Sequence, residues 1–375
     1  MADGADGAVA VVGGSLGGLR VAEQLRRSGH AGPVTVYGAE PYPPYNRPPL
    51  SKDVLADPAL GDAEAMLGLV EFRRRPFLDD VDFRLGTMVE SADLAAGRLH
   101  WQAAGEQGEA RFDGLVVATG LRPLRLPLPG PDAGRHVLRT VADCLDLRAA
   151  LDRPSRVVVV GGGFIGCEVA CTLRGLGHHV TVVEPTGAPL NRVLGEALGA
   201  AVQRHHERAG IEFVIGPGVT GFAGDDRVTG VELDTGHRIP ADVVVEAVGS
   251  RPNTEWLAGN DLDLSDGVLC RNDLAVVGAS RAVAVGDVAR FPARSSTTCR
   301  AGSSTGRCPP TPRSVPRRPC WPSCAASRPT RRRSPRSRRS GATRASCASR
   351  ASAPLASATM PGSRKATSAT CSAAS

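Results

Sequence analysis

Residues 156–184, RVVVVGGGFIGCEVACTLRGLGHHVTVVE, constrain what this chain can fold into more than any other stretch. Four consecutive valines at 157–160 form a short apolar run of the kind found in a strand covered on both faces. A glycine turn follows, with Gly161, Gly163 and Gly166 in G-x-G-x-x-G spacing. Ile165, Val169, Leu173 and Leu176 then recur at helical spacing, so a helix starts inside the glycine run. Gly177 ends it, and residues 180–183 make a second strand that closes on Glu184. Each glycine has a mechanical use: a tight turn, close approach of backbone to a pyrophosphate, and close packing of helix on strand. The helix start adds free N–H groups and roughly half a positive charge for the phosphates. A glycine triplet alone is a weak signal, and a turn in an ordinary α/β unit is the plain alternative. Strand, triplet, helix, strand and acid in order make a strong one.

Glu184 lies 21 residues beyond Gly163, where a carboxylate accepts from both ribose hydroxyls of an adenosine. The same acid chooses between nicotinamide cofactors. A 2′-phosphate beside it would bring like charges within about 4 Å, costing about 4 kcal/mol per charge pair at intermediate dielectric. Pro185, Thr186 and Gly187 follow, with no arginine to offset the repulsion. The expectation is NADH, not NADPH.

A second unit of the same kind opens the chain. Residues 9–12 read as a strand, GGSLGG at 13–18 as its turn, and Leu19, Ala22 and Leu25 as the inward face of a helix before a strand at 34–36. Glu40 lies 22 residues after Gly18. Ser15 stands where the middle glycine belongs, between Gly13 and Gly18, and adds a small side chain that can donate to a phosphate. PYPPYNRPPLSK follows at 41–52, and its five prolines predict an extended, stiff path. Arg47 and Lys52 are then held on a rigid loop; the plain reading is a surface loop with two solvated charges, and its position after a nucleotide-binding strand argues otherwise.

Residues 53–115 hold several short strand-like runs. LVVATG at 115–120 reads as a strand ending in a tight turn, and the proline-rich stretch 123–131 as a linker into the central unit. A helical pattern covers 195–208, with short strands near Phe213 and Val231. VVVEAVGSRPN at 243–253 repeats the strand-then-turn form of LVVATG, and AVAVGD at 282–287 gives a last strand with an acid at its end. The expected fold class is α/β, with two Rossmann-like dinucleotide-binding domains, one inserted in the other. The expected boundaries are 1–121 and 247–294 for an FAD domain, 122–246 for an NAD domain, and 295–375 for a low-complexity basic tail.

The formal net charge of +7 misleads. Residues 295–375 carry 15 Arg and 1 Lys with no Asp or Glu, and six of the ten cysteines. The remaining 29 basic residues face 38 acidic ones, a net of −9 over residues 1–294. The body thus reads as a cysteine-poor, reduced cytoplasmic enzyme. Its longest central charge-free apolar stretch, 157–167, is far below the ~20 residues of a membrane span. The acidic N-terminus runs straight into a strand and does not read as a signal peptide.

From Gly13 to about Phe291 the chain resembles the FAD-dependent ferredoxin reductases of bacterial oxygenase and P450 electron chains. The resemblance rests on GGSLGG, PYNRPPLSK, ATG at 118–120, GGGFIG, VGSRPN and VGD at 285–287, of which RPPLSK is the most specific. It implies that Gly13, Ser15, Gly18 and Glu40 hold the FAD adenosine and pyrophosphate. Arg47 and Lys52 would lie along the flavin side. Thr119, Gly120, Gly249 and Gly286 would line the cofactor, and Asp287 would accept from its ribityl chain. Gly161, Gly163, Gly166 and Glu184 would hold NADH. The resemblance also implies a Lys52–Glu168 pair near the flavin. The activity implied is transfer of electrons from NADH through FAD to a 2Fe–2S ferredoxin or a rubredoxin. An NADH oxidase or a nitrite-reductase-type enzyme is the alternative on the same fold.

Residues 1–143 contain no cysteine, so no thiol relay is expected at the flavin. Cys167 and Cys171, one helical turn apart, read as packing residues. His205 and His206 before Glu207 make no zinc motif, and no metal site is expected. Beyond about Arg294 the resemblance stops, where the family continues with an E-H-W segment and an interface domain; that domain is expected to be missing. The tail reads either as a basic arm for nucleic acid or as translation in the wrong frame. Read from the third base of each codon, residues 302–306 can be encoded to give V-E-H-W, and Cys320, Trp321 and Pro322 then give Leu-Ala. The frameshift is the preferred reading, nucleic-acid binding the lesser one, and a truncated inactive remnant the rival from another class.

Overall fold

The computed structural model describes residues 6–151 and 153–291. Two five-stranded, all-parallel sheets organise them. The first runs in the order Ala282–Ala284, Gly114–Val117, Val9–Val12, Val34–Gly38, Asp82–Leu85. The second runs Arg135–His136, Val243–Glu246, Arg156–Val160, His179–Glu184, Glu212–Ile215. In each, the strand before the glycine loop is central and pairs in register on both sides, Val9 with Val34 and Gly114, Val157 with Val180 and Val243. That is why these strands are written as unbroken apolar runs: both faces are covered.

The repetition goes beyond the glycine loops. The helices Leu16–Arg27 and Phe164–Gly175 end alike, in a left-handed glycine at Gly29 or Gly177. Behind it His30 N–H reaches the Leu25 carbonyl and His178 N–H the Leu173 carbonyl, both at 3.1 Å, a Schellman closure. Counted from the strand before the glycine loop, in both units a three-stranded antiparallel meander sits between the third and fourth parallel strands. Met88–Asp93, Arg98–Ala103 and Glu106–Arg111 form the first; Val219–Ala223, Gly230–Leu233 and Arg238–Pro240 the second. The outermost strand beside the fourth differs: the first sheet takes it from late in the chain, the second from just ahead of its own glycine loop.

Two connections join the units. Leu121–Pro123 leaves the first and pairs antiparallel with Ser250–Pro252, which returns to it. The segment after the first unit's second strand is the other. Tyr45, Leu50, Val54, Leu55 and Met66 share one buried cluster with Val141, Val157, Val169 and Leu173 of the second unit. Residues 41–52 are less extended than their prolines predict, because Pro48–Ser51 winds into a 3-10 turn. Proline is tolerated in the first positions of such a turn, where no N–H is needed.

Three expectations from periodicity need correction. Ile165 and Leu176 lie half-exposed on the helix Phe164–Gly175, and only Val169 and Leu173 of that set are core. The run 53–115 includes a helix, Ala63–Val70, besides its strands. Cys167 is buried as a packing residue, but Cys171 is exposed, its Sγ 2.9 Å from His206 Nδ1. The tail, with its frameshift, missing-domain and nucleic-acid readings, lies outside the described residues.

Candidate functional site

The two glycine loops have the same geometry with different causes at each position. Gly13 and Gly161 adopt φ of +126° and +105°. A Cβ at Gly13 would stand 2.1 Å from the Ala118 carbonyl oxygen, and one at Gly161 2.5 Å from that of Ala247. Gly18 and Gly166 would each drive a Cβ to 2.0 Å from the carbonyl oxygen of the first glycine. These four glycines are demanded by the protein itself. Gly163 is not: it is the N-cap of its helix with φ −76°, and a Cβ there would meet nothing within 4 Å. Open space at the start of a helix without an acidic residue in its first turn suits a pyrophosphate. Ser15 is the corresponding N-cap, and its hydroxyl makes no capping bond, which leaves it free for a phosphate.

Glu184 follows the second loop at the carboxyl edge of the sheet. Its carboxylate accepts from Gly162 N–H at 2.8 Å and from Thr186 N–H at 2.8 Å, and Thr186 Oγ1 donates to it at 2.5 Å. The acid is thus held against the glycine loop. Glu40, its counterpart, accepts from Tyr45 OH at 2.6 Å and pairs with Arg47. Arg47 also donates to Tyr45 OH and to the Arg139 carbonyl, both at 2.9 Å, so the structure groups it with Glu40. Burial pushes the Tyr45 phenol well above its usual range, so it remains a donor to Glu40.

Arg139 and Asn253 were not singled out by the sequence. Arg139 Nη2 stands 3.6 Å from Asp287 Oδ2, and burial, then the neighbouring Arg47 charge, lowers its pKa. Gly120, at φ +61°, lies across from the same guanidinium. Asn253 Nδ2 donates to the Thr119 carbonyl at 2.9 Å while Thr119 Oγ1 donates to the Asn253 carbonyl at 2.7 Å. Gly249 (φ +113°) and Gly286 (φ +75°) make the turns after Val243–Glu246 and Ala282–Ala284. A local signal existed for Arg139: it abuts the capping box of Thr140 and Asp143 that starts the helix Val141–Ala149.

Lys52 and Glu168 come from different units. Lys52 Nζ lies 2.6 Å from Glu168 Oε2 and donates to the Pro48 carbonyl at 3.1 Å. Ser51 Oγ donates to the same carboxylate oxygen at 2.7 Å, and Thr172 Oγ1 donates to the Ser51 carbonyl at 2.7 Å. Both charged groups are partly exposed. The rigid loop of the first unit is thereby pinned to the helix that follows the second glycine loop. Among the described residues no three His, Cys, Asp or Glu side chains cluster as a metal site, and no helix is long and apolar enough to cross a membrane.

The sequence profile of the pyridine nucleotide-disulphide oxidoreductase family matches residues 7–306. This chain belongs to that family. The match runs past Arg294, about where the resemblance read from the sequence stops. Among curated members of the family, the ferredoxin–NAD(+) reductase component of the biphenyl dioxygenase system of Paraburkholderia xenovorans is 35% identical over 287 residues, 76% of this chain and 68% of that one. Putidaredoxin reductase of Pseudomonas putida is 34% identical over 294 residues, 76% of this chain and 67% of that one. A covalent putidaredoxin reductase–putidaredoxin complex superposes with a TM-score of 0.69 at 31% identity, covering 78% of this chain and 70% of that one. The chain spans about two thirds of the length of these curated relatives.

Proposed function

We propose that this oxidoreductase takes electrons from NADH through bound FAD to a ferredoxin or rubredoxin that serves an oxygenase or P450. The observation that carries the reading is the Lys52–Glu168 contact, which ties the loop beside one dinucleotide site to the helix that starts at the other. The relatives, reductases of ferredoxins and of putidaredoxin, point the same way.

The residues present fit both coenzymes. Gly13, Ser15 and Gly18 offer one phosphate cradle, with Glu40 for the ribose. Arg139 supplies a guanidinium beside Asp287, and Arg47 one beside Glu40. Gly161, Gly163 and Gly166 offer the other cradle, and Glu184 excludes a 2′-phosphate by like charge. When bound, the coenzymes supply the redox chemistry, hydride from nicotinamide to flavin and single electrons onward. The chain orients them. Lys52 places a positive charge at the meeting point, and Glu168 with Ser51 fixes where that ammonium stands. The first cysteine of the chain, Cys144, is free and fully buried, its thiol pushed up to about 11 by burial, so it offers no disulfide to take electrons from the flavin.

The test is steady-state transfer from NADH to a cytochrome, with and without an added 2Fe–2S ferredoxin. Stimulation by the ferredoxin is expected. Oxygen consumption unaffected by the carrier would instead assign an NADH oxidase.

A further inference from the structure

The parallel strands of the second sheet end at the glycine loop and at Glu184. Their beginnings, about 17 Å away for a five-residue strand, border a cavity of about 820 Å³ lined by Arg125, Arg135, His136, Arg153, Arg227 and Asp242, among others. Most charges there are already committed. Arg135 is bonded to the buried Glu246 carboxylate and, at 3.1 Å, to Asp132. Asp242 is gripped by Arg156 at 2.6 and 3.1 Å. Arg125 stands 3.9 Å from Glu246, whose nearer partner is Arg135 at 3.1 Å. Arg153 and Arg227 have no ion-pair partner among the described residues, and of the lining carboxylates only Asp146 likewise has none. Counting Arg135 and Arg156, five guanidinia meet the four carboxylates of Glu246, Asp132, Asp242 and Asp146, and the lining keeps a net positive charge with Arg153 and Arg227 unpaired.

A second observation points the same way. His136 Nε2 is buried and has no hydrogen-bond partner among the described residues. Burial, then the charges of Arg227 and Arg125, lower its pKa, with Asp146 and Asp143 acting in the opposite sense. A neutral ring under the influence of two guanidinia has an unused nitrogen, which is a donor in its Nε2–H tautomer.

We propose that this cavity binds a small phosphate-bearing anion, held by Arg125, Arg153 and Arg227 with His136 Nε2–H as a further donor. Guanidinium forks suit the several oxygens of a phosphate, and the volume lies within the roughly 300–1,000 Å³ of small-molecule sites. The helix Val141–Ala149 turns its carboxyl end toward the cavity, which opposes an anion by roughly half a charge. The net positive charge of the lining outweighs it. The site lies on the edge of the sheet opposite the glycine loop, so its ligand does not compete with a dinucleotide.

The experiment titrates the full chain with inorganic phosphate, pyrophosphate and ATP at matched ionic strength, followed by calorimetry and by the imidazole resonances of His136. Saturable binding with a rise in the His136 pKa is expected. Tighter pyrophosphate than ATP assigns free phosphates, and tighter ATP a nucleotide. The double variant R153A/R227A is expected to weaken binding at least tenfold, and Asp146→Asn to strengthen it. The proposal is overturned by no saturable binding of any of the three, by an unmoved His136, or by binding unchanged in both variants.

Discussion

At the residue scale the decisive contact is Lys52 to Glu168. Both side chains keep substantial solvent contact, 44% and 35%, so their attraction adds less than about 1 kcal/mol to folding. Lys52→Ala is therefore expected to melt close to the parent while flavin reduction by NADH slows about tenfold or more, as expected when a positioning charge is lost. Stopped-flow reduction beside a thermal melt separates the two; an unchanged reduction rate removes Lys52 from the flavin site. The cysteines make a second prediction. Cys144 and Cys167 have thiols pushed up to about 11 by burial, whereas Cys171 is exposed. Peptide-resolved alkylation of the native chain is expected to mark Cys171 and spare Cys144, Cys167 and the buried Cys270. Below about pH 9 both buried thiols are protonated in either state. Between about 9 and 11 the unfolded chain releases protons that the native one keeps, so stability falls in that window.

At the element scale, the glycine loops separate what folding needs from what binding needs. Gly166→Ala replaces a helical glycine, which by propensity alone gains about 0.5–1 kcal/mol. Here the new Cβ would stand 2.0 Å from the Gly161 carbonyl oxygen, backbone that has little room to move. The clash wins, and a loss of about 1–3 kcal/mol or more is expected in urea melts. Gly163→Ala meets nothing in the protein and is expected to cost less than about 1 kcal/mol, as a poorer N-cap, while weakening NADH binding about tenfold. Asn253→Ala removes a donor to Thr119 and an acceptor from Arg122 at the paired crossing strands, and is expected to cost about 1–3 kcal/mol. The loops were legible in the sequence because their signals are local: apolar strand, glycine spacing, helix and acid fall within 32 residues in each unit. Arg139 and Asn253 were not. Their partners lie 92 and 134 positions away, at Arg47 and Thr119, and only the folded chain brings them together. Cys171 was misjudged for the same reason, since helical spacing places it near Cys167 but cannot reveal His206, 35 positions on.

At the scale of the whole molecule, two copies of one architecture are joined by a pair of crossing strands and by a proline-stiffened segment that enters the neighbour's core. This arrangement explains why the insertion was readable: a strand-plus-turn exit at 118–120 recurs at 247–249, and the two continuations pair with each other. It also makes the central claim simple to examine, because the proposed function requires the two crevices to communicate at the Lys52–Glu168 contact. The direct measurement is anaerobic addition of NADH to the full chain incubated with FAD and freed of excess. Retained yellow colour that bleaches within a single mixing experiment, and far more slowly with NADPH, is the result predicted. Flavin that is held but stays oxidised under excess NADH would contradict the account.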